Sequence, residues 1–413
     1  MTNYLCMYQS KVKKELVTNI LPFWIKNAVD LKNGGFYGYI SNDLVADEIA
    51  DKSVILNSRI LWTFSAAFRL LGDEKYLEMA RRAYEYILDH FWDSEFTGVY
   101  WSVNHKGKPS NTRKHLYAQA FTIYAFSEYY RATGGNKSLE LAIELFRAIE
   151  KYGYDKKFKG YFEACTREWE IAEDLRLSSK DLNEKKSMNT HLHILEAYTN
   201  LLRVWNDDIL RNKLKELIEV IIEHIIDSNT HHFKLFFDEC WHVKSDLISY
   251  GHDIEGSWLL CEASEVLGDK QVIKKVKEVA VKMAQATYEE GIDCDGGILN
   301  EASSRGFTDL NKDWWPQAEA VVGFLNAYQL TGNEHFWDAS YRCWQFIEQH
   351  IIDKEHGEWF WGVNRKGDFL KDREKAGPWK CPYHNSRACF EVISRLESLN
   401  DTSRKIDMKV VMR

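Results

Sequence analysis

The chain has 413 residues, roughly two to three times the length of a typical single domain and enough to bury a large hydrophobic core. Its 54 lysines and arginines are outnumbered by 62 aspartates and glutamates, for a formal net charge of −8. This balance argues against a protein that binds nucleic acid through a basic surface. Aromatic residues make up 14% of the chain and only 5 prolines occur, a composition typical of long helices around an aromatic-lined cavity.

The first residues contain no apolar segment behind a basic start, so we expect no secretory signal. No apolar run approaches the roughly 20 residues that a membrane span requires. The 8 cysteines are scattered, with no Cys-x-x-Cys pair. We therefore expect reduced thiols in a cytoplasmic protein, because disulfides are rare in that compartment.

A short phrase of glycine and aromatic or aliphatic residues recurs six times along the chain. Its anchors fall at residues 35, 98, 160, 232, 297 and 357. These intervals are regular and too long for a repeat of one helix, so each repeat is expected to hold two helices.

The stretches between the phrases show helical periodicity. An initial helix at 12–27 is followed by an apolar helix at 53–71 and a one-sided amphipathic helix at 73–91. The same pair of helices recurs four times, at 116–131 with 138–152, 188–204 with 208–227, 253–267 with 269–288, and 314–330 with 333–351. A last helix at 382–399 completes the set.

Two kinds of helix alternate in this pattern, which indicates an inner and an outer ring. Helices that are apolar on nearly all sides have to be buried, whereas the amphipathic partners can lie outside them. An open solenoid and a closed toroid both satisfy the repeat. Polar and aromatic residues cluster where the inner helices begin, and this favours closure around one cavity. We predict an all-α (α/α)6 toroid of one domain, 1–413, with the phrases as short β-hairpins at the cavity mouth; a non-catalytic repeat scaffold is the alternative.

Histidines mark the beginnings of three predicted inner helices: His191 and His193 on one, His252 on another, and His384 on the last. Zinc binding is one interpretation, but two residues on a helix separated by one position point about 200° apart. Imidazole can also take a proton in one step and return it in another, which suits proton abstraction next to a carbonyl. Glu255 lies three residues after His252 and can orient its ring.

Arginine and tryptophan residues indicate the ligand class. Arg59 lies inside an apolar run and needs an anionic or strongly polar partner, either a substrate enediolate or a structural carboxylate. Trp314, Trp315 and Trp379 lie at predicted helix starts and loops, where an indole can stack on the apolar face of a sugar. Walker, GxGxxG and HExxH motifs are absent from the sequence, so nucleotide and zincin functions have no support.

Long segments in order along the chain resemble the N-acylglucosamine 2-epimerase superfamily and, within it, the cellobiose 2-epimerases. These segments are 33–38, 58–62, 189–198, 251–255, 313–319 and 379–384. The resemblance implies a closed toroid that inverts C2 of the reducing-end glucose in β-1,4-linked disaccharides, without metal or nucleotide. Cellobiose would give glucosyl-mannose and lactose would give epilactose. Return of the proton to C1 would give a ketose, so we expect some aldose–ketose isomerase side activity.

The resemblance also implies roles for individual residues. His252 and His384 resemble the acid/base pair, and His193 a third polar partner that assists ring opening or binding. Further residues resemble the substrate-binding set: Arg59, Tyr117 and Asn189 for the reducing sugar's oxygens, Glu255 as support for His252, Trp314, Trp315 and Glu319 around the reducing-end site, and Trp379 under the second sugar. Asn57 stands where many relatives have histidine.

Three other functions remain open at this point. A mannose isomerase or N-acylglucosamine 2-epimerase would act on a monosaccharide and would leave Trp379 unused. A glycoside hydrolase needs a pair of carboxylates around the scissile bond and has no use for the histidines. A non-catalytic carbohydrate-binding toroid needs no acid/base residues. We expect a monomer acting on a small-molecule disaccharide, with neither nucleic acid nor membrane as partner.

Overall fold

The computed structural model describes residues 2–411, with side chains described for 5–400. Its first helical arm runs through α1 (Thr2–Glu15), a π-helical turn at Leu16–Ile20 and α2 (Leu21–Asn27). The arm thus begins ten residues before the predicted start at residue 12. Among the side chains described for residues 5–11, Leu5 and Tyr8 are the ones buried in the core, which explains the weak periodicity there.

Twelve helical arms form two concentric rings in residues 2–411. The inner helices are α3 (Val54–Leu71), α5 (Leu116–Thr133), α7 (Met188–Leu202), α9 (Tyr250–Leu267), α11 (Trp314–Thr331) and α13 (Tyr383–Val411). The outer arms are α1 with α2, then α4 (Glu74–Tyr86), α6 (Asn136–Ala148), α8 (Asp208–Val220), α10 (Lys270–Glu290) and α12 (Glu334–Phe346). Successive inner helices pack side by side, and α13 packs against both α11 and α3. The predicted (α/α)6 toroid is confirmed.

The inner helices are buried on nearly every side. In α3, every residue from 54 to 67 is buried, and the helix begins with the Ser53 hydroxyl accepting the Leu56 N–H and ends at Gly72 in the left-handed conformation. Among the described residues, α3 is the one helix long and apolar enough to cross a membrane. However, 78% of it is buried inside the protein, as the inner ring requires.

Each glycine-aromatic phrase folds back on the end of the outer arm before it. Four outer helices, α4, α6, α8 and α12, continue into a five-residue π-helical turn, and the chain then reverses. One antiparallel bridge closes each reversal: Val29 with Phe36, Trp92 with Val99, Tyr154 with Tyr161, Ile226 with Phe233, Ile292 with Ile298, and Ile352 with Trp359. The phrases therefore form hairpins as predicted, but each is held by a single bridge and the regular strands begin after it.

Short antiparallel strands join neighbouring repeats around one rim of the toroid. They are β1 (Lys52–Ser53), β2 (Ser102–Val103), β3 (Pro109–Asn111), β4 (Lys114–His115), β5 (Ala164–Cys165), β6 (Lys186–Ser187), β7 (Phe236–Phe237), β8 (Ile248–Ser249), β9 (Glu301–Ser303), β10 (Gly306–Asp309), β11 (Lys312–Asp313) and β12 (Gly362–Val363). The sheets are β1-β2-β3, β4-β5, β6-β7, β8-β9-β10 and β11-β12. The strand before one inner helix thus pairs with the strand after the next phrase.

A buried ion pair fixes the beginning of most inner helices. A lysine immediately before the helix N-cap bonds an aspartate in the preceding reversal, in the pairs Lys52–Asp30, Lys114–Asp93, Lys186–Asp155 and Lys312–Asp293. In the fourth repeat Ile248 takes the lysine's place, and its aspartate, Asp227, is partly exposed instead. Because breaking a buried pair is costly, these lysines hold the helix starts in register with the rim.

Candidate active site

The inner helices begin around a cavity of about 380 Å³. All but one of the predicted site residues line it, namely Arg59, Tyr117, Asn189, His193, His252, Glu255, Trp314, Trp315, Trp379 and His384. The exception, Glu319, lies directly behind His384, with its Oε1 atom 2.7 Å from the histidine Nδ1. Residues far apart in the sequence are therefore brought together at one site.

The repeat places chemically active side chains at one helical position. In five inner helices, the sixth residue after the N-cap points to the toroid axis. These residues are Arg59, Phe121, His193, Glu255 and Glu319, and Arg387 of α13 joins them there. Two of these, Arg387 and Phe121, were not among the predicted site residues. Arg387 could have been found from its spacing, three residues after His384.

The fourth residue after each N-cap has a structural role instead. Gln119 and Gln317 accept the N–H groups of Val99 and Ile298 in the neighbouring phrases. His191 does the same with Nε2, which accepts the Tyr161 N–H at 2.9 Å, while Nδ1 donates to the Ser187 carbonyl. Burial lowers the pKa of His191 to about 3. His191 therefore faces away from His193, as its helical spacing predicted.

Asn57 occupies this same structural position in α3. Its amide donates to the Ser53 carbonyl at 2.9 Å, and the residue is absent from the cavity lining described above. The departure from many relatives at this position therefore affects the wall behind the site rather than the site itself.

The hydrogen bonds of His384 define its tautomer. Its Nδ1 faces Glu319 Oε1, and the same carboxylate accepts from Arg387 Nη2 at 2.7 Å and from Trp258 Nε1 at 3.0 Å. Arg387 and Trp258 only donate, and they favour an ionised Glu319 although burial raises the pKa of its carboxyl group. With Glu319 ionised, the proton of neutral His384 lies on Nδ1. Burial, and then the cations Arg59 and Arg387, lower the pKa of His384 well below its usual value. Its Nε2 atom therefore presents a lone pair, as a base requires.

His193 is oriented in the same way by a second glutamate. Its Nδ1 lies 3.0 Å from Glu196 Oε2, and Glu196 also accepts from Arg387 and from the Tyr383 hydroxyl. Burial raises the pKa of Glu196, but Arg387 and His193 outweigh burial and hold it at about 2. Glu196 is therefore ionised. Sequence reasoning missed it, although its position three residues after His193 on the same helix was an available signal; its other partners, Arg387 and Tyr383, lie on α13.

His252 has a different partner from the one expected. Its Nδ1 lies 2.7 Å from the Ser249 hydroxyl, and its ring lies 4.6 Å from that of Trp315. Burial, and then His193, lower the pKa of His252 to about 3. A serine can donate or accept, so the proton of neutral His252 can sit on either ring nitrogen.

Glu255 therefore does not orient His252, and that expectation is corrected. Its Oε1 atom accepts from Arg387 Nη2 at 2.5 Å and lies 3.9 Å from His384 Nδ1. The physical reason is that the guanidinium on α13 projects into the axis of the toroid and attracts the carboxylate away from its own helix.

Arg59 is a buried cation without a carboxylate partner among the described residues. One Nη atom donates to the Tyr117 hydroxyl at 2.7 Å, and the guanidinium lies 4.3 Å from the Phe121 ring centroid and 4.9 Å from that of Tyr383. The alternative of a structural carboxylate is not what the structure shows. A guanidinium partly desolvated at a cavity wall suits a ligand that carries or develops negative charge.

Tryptophans lie at two depths of the cavity. Trp315 is near both His252 and His384, with ring centroids 4.6 and 5.6 Å away. Trp379 is half-buried and lies 6.2 Å from Trp101 and 6.0 Å from Tyr117. The site thus offers one aromatic surface beside His252 and His384 and a second one beside Trp101 and Tyr117.

A loop that sequence reasoning missed covers part of the cavity. Residues 177–181 contribute five side chains to its lining, including Lys180 and Asp181. The sequence did carry a signal, because the interval between the phrase anchors at 160 and 232 is the longest of the set. The extra residues of that repeat form this loop.

One group of potential metal ligands occurs in the described part of the chain, formed by Glu255, Glu319 and His384 within 4.8 Å of one another. Arg387 Nη2 lies 2.5 and 2.7 Å from the two glutamate oxygens. The guanidinium already takes the position that a cation between these carboxylates would need.

The inner ring of this helical toroid places histidines, an arginine and tryptophans at one cavity. This arrangement is typical of an enzyme that converts sugars. The N-acylglucosamine 2-epimerase (GlcNAc 2-epimerase) family matches residues 35–388, and the chain belongs to that family. The cellobiose 2-epimerase of Bacteroides fragilis is 50% identical over 386 residues, covering 93% of this chain and 98% of the relative. That of Ruminococcus albus is 43% identical over 390 residues, covering 94% and 99%.

Solved structures agree with these sequence relationships. The structure of cellobiose 2-epimerase from Bacillus thermoamylovorans superposes with a TM-score of 0.90 at 42% identity, covering 94% of this chain and 99% of that one. The likeness therefore extends over the whole toroid, from the rim strands to the last inner helix.

Proposed function

We propose that the chain is an isomerase that epimerises C2 of the reducing-end glucose in β-1,4-linked disaccharides, converting cellobiose to glucosyl-mannose and lactose to epilactose. The observation that carries this proposal is the pair of neutral histidines, half-buried His252 and buried His384, beside a guanidinium that has no carboxylate partner among the described side chains. Curated relatives at 50% and 43% identity are named cellobiose 2-epimerases, which supports the disaccharide as substrate.

The proposed chemistry uses each group for what its surroundings permit. After the pyranose opens, assisted by His193, the C1 aldehyde acidifies the C2 hydrogen, and one of the two neutral histidines takes that proton. Arg59 and the Tyr117 hydroxyl stabilise the negative charge that develops on the enediolate oxygens. The planar intermediate has lost its stereochemistry. The histidine that took the proton can return it to the opposite face after rotation about C2–C3, which gives the epimer; the alternative is delivery by the other histidine, which then has to carry an extra proton.

The two histidines are placed for this exchange by Trp315. Their rings lie 4.6 and 5.6 Å from its indole, so one sugar stacked there would have an imidazole on each side. In this proposal the wall of the sugar-binding cavity is completed by Asn189, Trp314 and Glu255. Glu319 acts through His384.

Several features support a cytoplasmic monomer with one catalytic domain, 1–413. All 8 cysteines, each in the described part of the chain, are free thiols, as a reducing compartment favours. The toroid closes through its own helices α13 and α3, so its core needs no second copy.

Proton NMR of the purified protein with cellobiose in D₂O tests the proposal. We expect deuterium at C2 of the reducing sugar together with a new mannose-type anomeric signal. Exchange only with mannose or N-acetylglucosamine would favour a monosaccharide enzyme, release of glucose a hydrolase, and no reaction at all a binding protein. Prolonged incubation with lactose should also yield some ketose, and its absence would remove the proposed side activity.

Replacing Trp379 by alanine tests the disaccharide specificity. We expect KM for cellobiose to rise about three- to tenfold, because one aromatic stacking surface is lost, while kcat changes little. The half-buried position of Trp379, away from the histidines, is the reason for this split. Steady-state kinetics on cellobiose and on mannose provide the measurement.

The monosaccharide is the control for this variant, since mannose cannot reach the second aromatic surface. An equal loss on both substrates, or a loss confined to kcat, would contradict the role given to Trp379.

A further inference from the structure

Three buried glutamates meet one guanidinium at the axis of the toroid. Glu196, Glu255 and Glu319 come from α7, α9 and α11, and each contacts Arg387 of α13. The glutamate side chains are 1% exposed and that of Arg387 is 2% exposed. If all three carboxylates were ionised, two negative charges would remain uncompensated in a buried cluster.

The hydrogen bonds are distributed unevenly among the three glutamates. Glu196 accepts from His193, Tyr383 and Arg387, and Glu319 accepts from His384, Trp258 and Arg387. Glu255 accepts from Arg387 alone, and its buried Oε2 atom has no hydrogen-bond partner among the described residues. An ionised carboxylate needs donors, so Glu255 is the member of the cluster least able to remain charged.

The groups that face Glu255 from the surrounding helices also disfavour its ionised form. They are Tyr117 on α5, His193 and Glu196 on α7, Glu319 on α11, and His384 and Arg387 on α13. Burial, and then the charge of Glu319, raise the pKa of Glu255 to about 7, against the opposing effect of Arg387. Burial also raises the pKa of Glu319, but three donors hold that carboxylate in its ionised form.

We propose that Glu255 is a neutral carboxylic acid in the working enzyme and is a positioning residue whose proton keeps His384 uncharged. The inference rests on the proposed function, because it concerns a base that this function requires. It replaces the expectation that Glu255 supports His252 as a carboxylate.

The consequence for the reaction follows from distance and charge. Glu255 Oε1 lies 3.9 Å from His384 Nδ1, and an ionised carboxylate this close stabilises a protonated imidazole. A protonated histidine cannot accept the C2 proton. Ionisation of Glu255 would therefore lower the fraction of enzyme that has its base available, although no catalytic atom would have moved.

Infrared spectroscopy tests the protonation state directly. A difference spectrum between the wild type and Glu255→Gln, recorded at about pH 6, which is below the pKa of about 7, should contain the carbonyl stretch of a protonated carboxyl group. The band should persist in Glu196→Gln. Its absence from the wild type, or its persistence in Glu255→Gln, would overturn the inference. If Glu255→Gln fails to fold, titration of the wild-type band decides, because the band should be lost as the pH rises through about 7.

Kinetics of isosteric variants provide the second readout. Glu319→Gln should lower C2 exchange about a hundredfold or more, because His384 loses the carboxylate that faces its Nδ1. Glu255→Gln should lose distinctly less activity than Glu319→Gln, because glutamine mimics a neutral acid.

Circular dichroism and thermal melting check that each variant is folded. A folded Glu255→Gln that loses as much activity as Glu319→Gln would contradict the proposal. The infrared result needs no turnover, so it decides the protonation state even if cellobiose is not the substrate.

Discussion

Replacing His384 by alanine is expected to lower the rate of C2 proton exchange by about 10²- to 10⁴-fold, the usual contribution of a general acid or base. The imidazole is buried, neutral and held by Glu319 through Nδ1 at 2.7 Å, so its Nε2 is the group that can take or return a proton. Sugar binding should change little, because Trp315, Arg59 and Trp379 remain. Deuterium incorporation into cellobiose and calorimetric binding provide the two measurements.

The chain itself supplies a matched control for this variant. His191 is also buried, but it bonds the Tyr161 N–H and the Ser187 carbonyl behind the site. At the equivalent positions of other repeats, Gln119 and Gln317 make the corresponding bonds. His191→Gln should therefore fold and retain exchange at close to the wild-type rate. A folded His384→Ala variant that also exchanges within tenfold of the wild type would remove His384 from the mechanism.

Substituting Arg59 with methionine should lower kcat/KM by about 10²- to 10³-fold, the loss seen when a donor that stabilises an oxyanion is removed. The same substitution should not destabilise the fold. Because no described carboxylate compensates this buried cation, an apolar side chain of similar length avoids the cost of desolvating the guanidinium. The melting temperature should therefore not fall while activity is lost.

Arg69 provides the comparison on the same helix. It is 31% exposed and pairs with buried Glu128 at 2.7 Å, so Arg69→Met leaves a carboxylate without one of its partners. That variant should lose stability and keep its activity, the reverse of Arg59→Met. A lower melting temperature for Arg59→Met, with activity falling in proportion, would assign Arg59 a structural role.

Much of the architecture could be predicted from the sequence because the determinants are local. The apolar run of α3 and the amphipathic stripe of α4 are read within one helix each, and both begin within a few residues of the predicted positions. The phrase at residue 98 predicts its own hairpin, since the glycine lies in the left-handed conformation beside the Trp92–Val99 bridge. Periodicity thus identifies the two rings.

What could not be predicted depends on contacts between helices that are distant in sequence. Arg387 binds Glu196 and Glu319, and no spacing within α13 reveals either partner. The same guanidinium explains why Glu255 faces it rather than His252. The start of α1 was also missed, because among the described side chains of residues 5–11 Leu5 and Tyr8 alone are buried.

The closure of the ring has a consequence for how the enzyme is made. The site depends on His384 and Arg387, which lie on α13 and are synthesised after the other inner helices, whereas its three glutamates are synthesised earlier. A nascent chain without α13 holds these carboxylates with no cation between them, and the first helical arm has no inner helix to cover. Assembly of the reaction centre is therefore coupled to synthesis of α13, so that a chain interrupted before residue 383 has neither a sealed core nor a usable site.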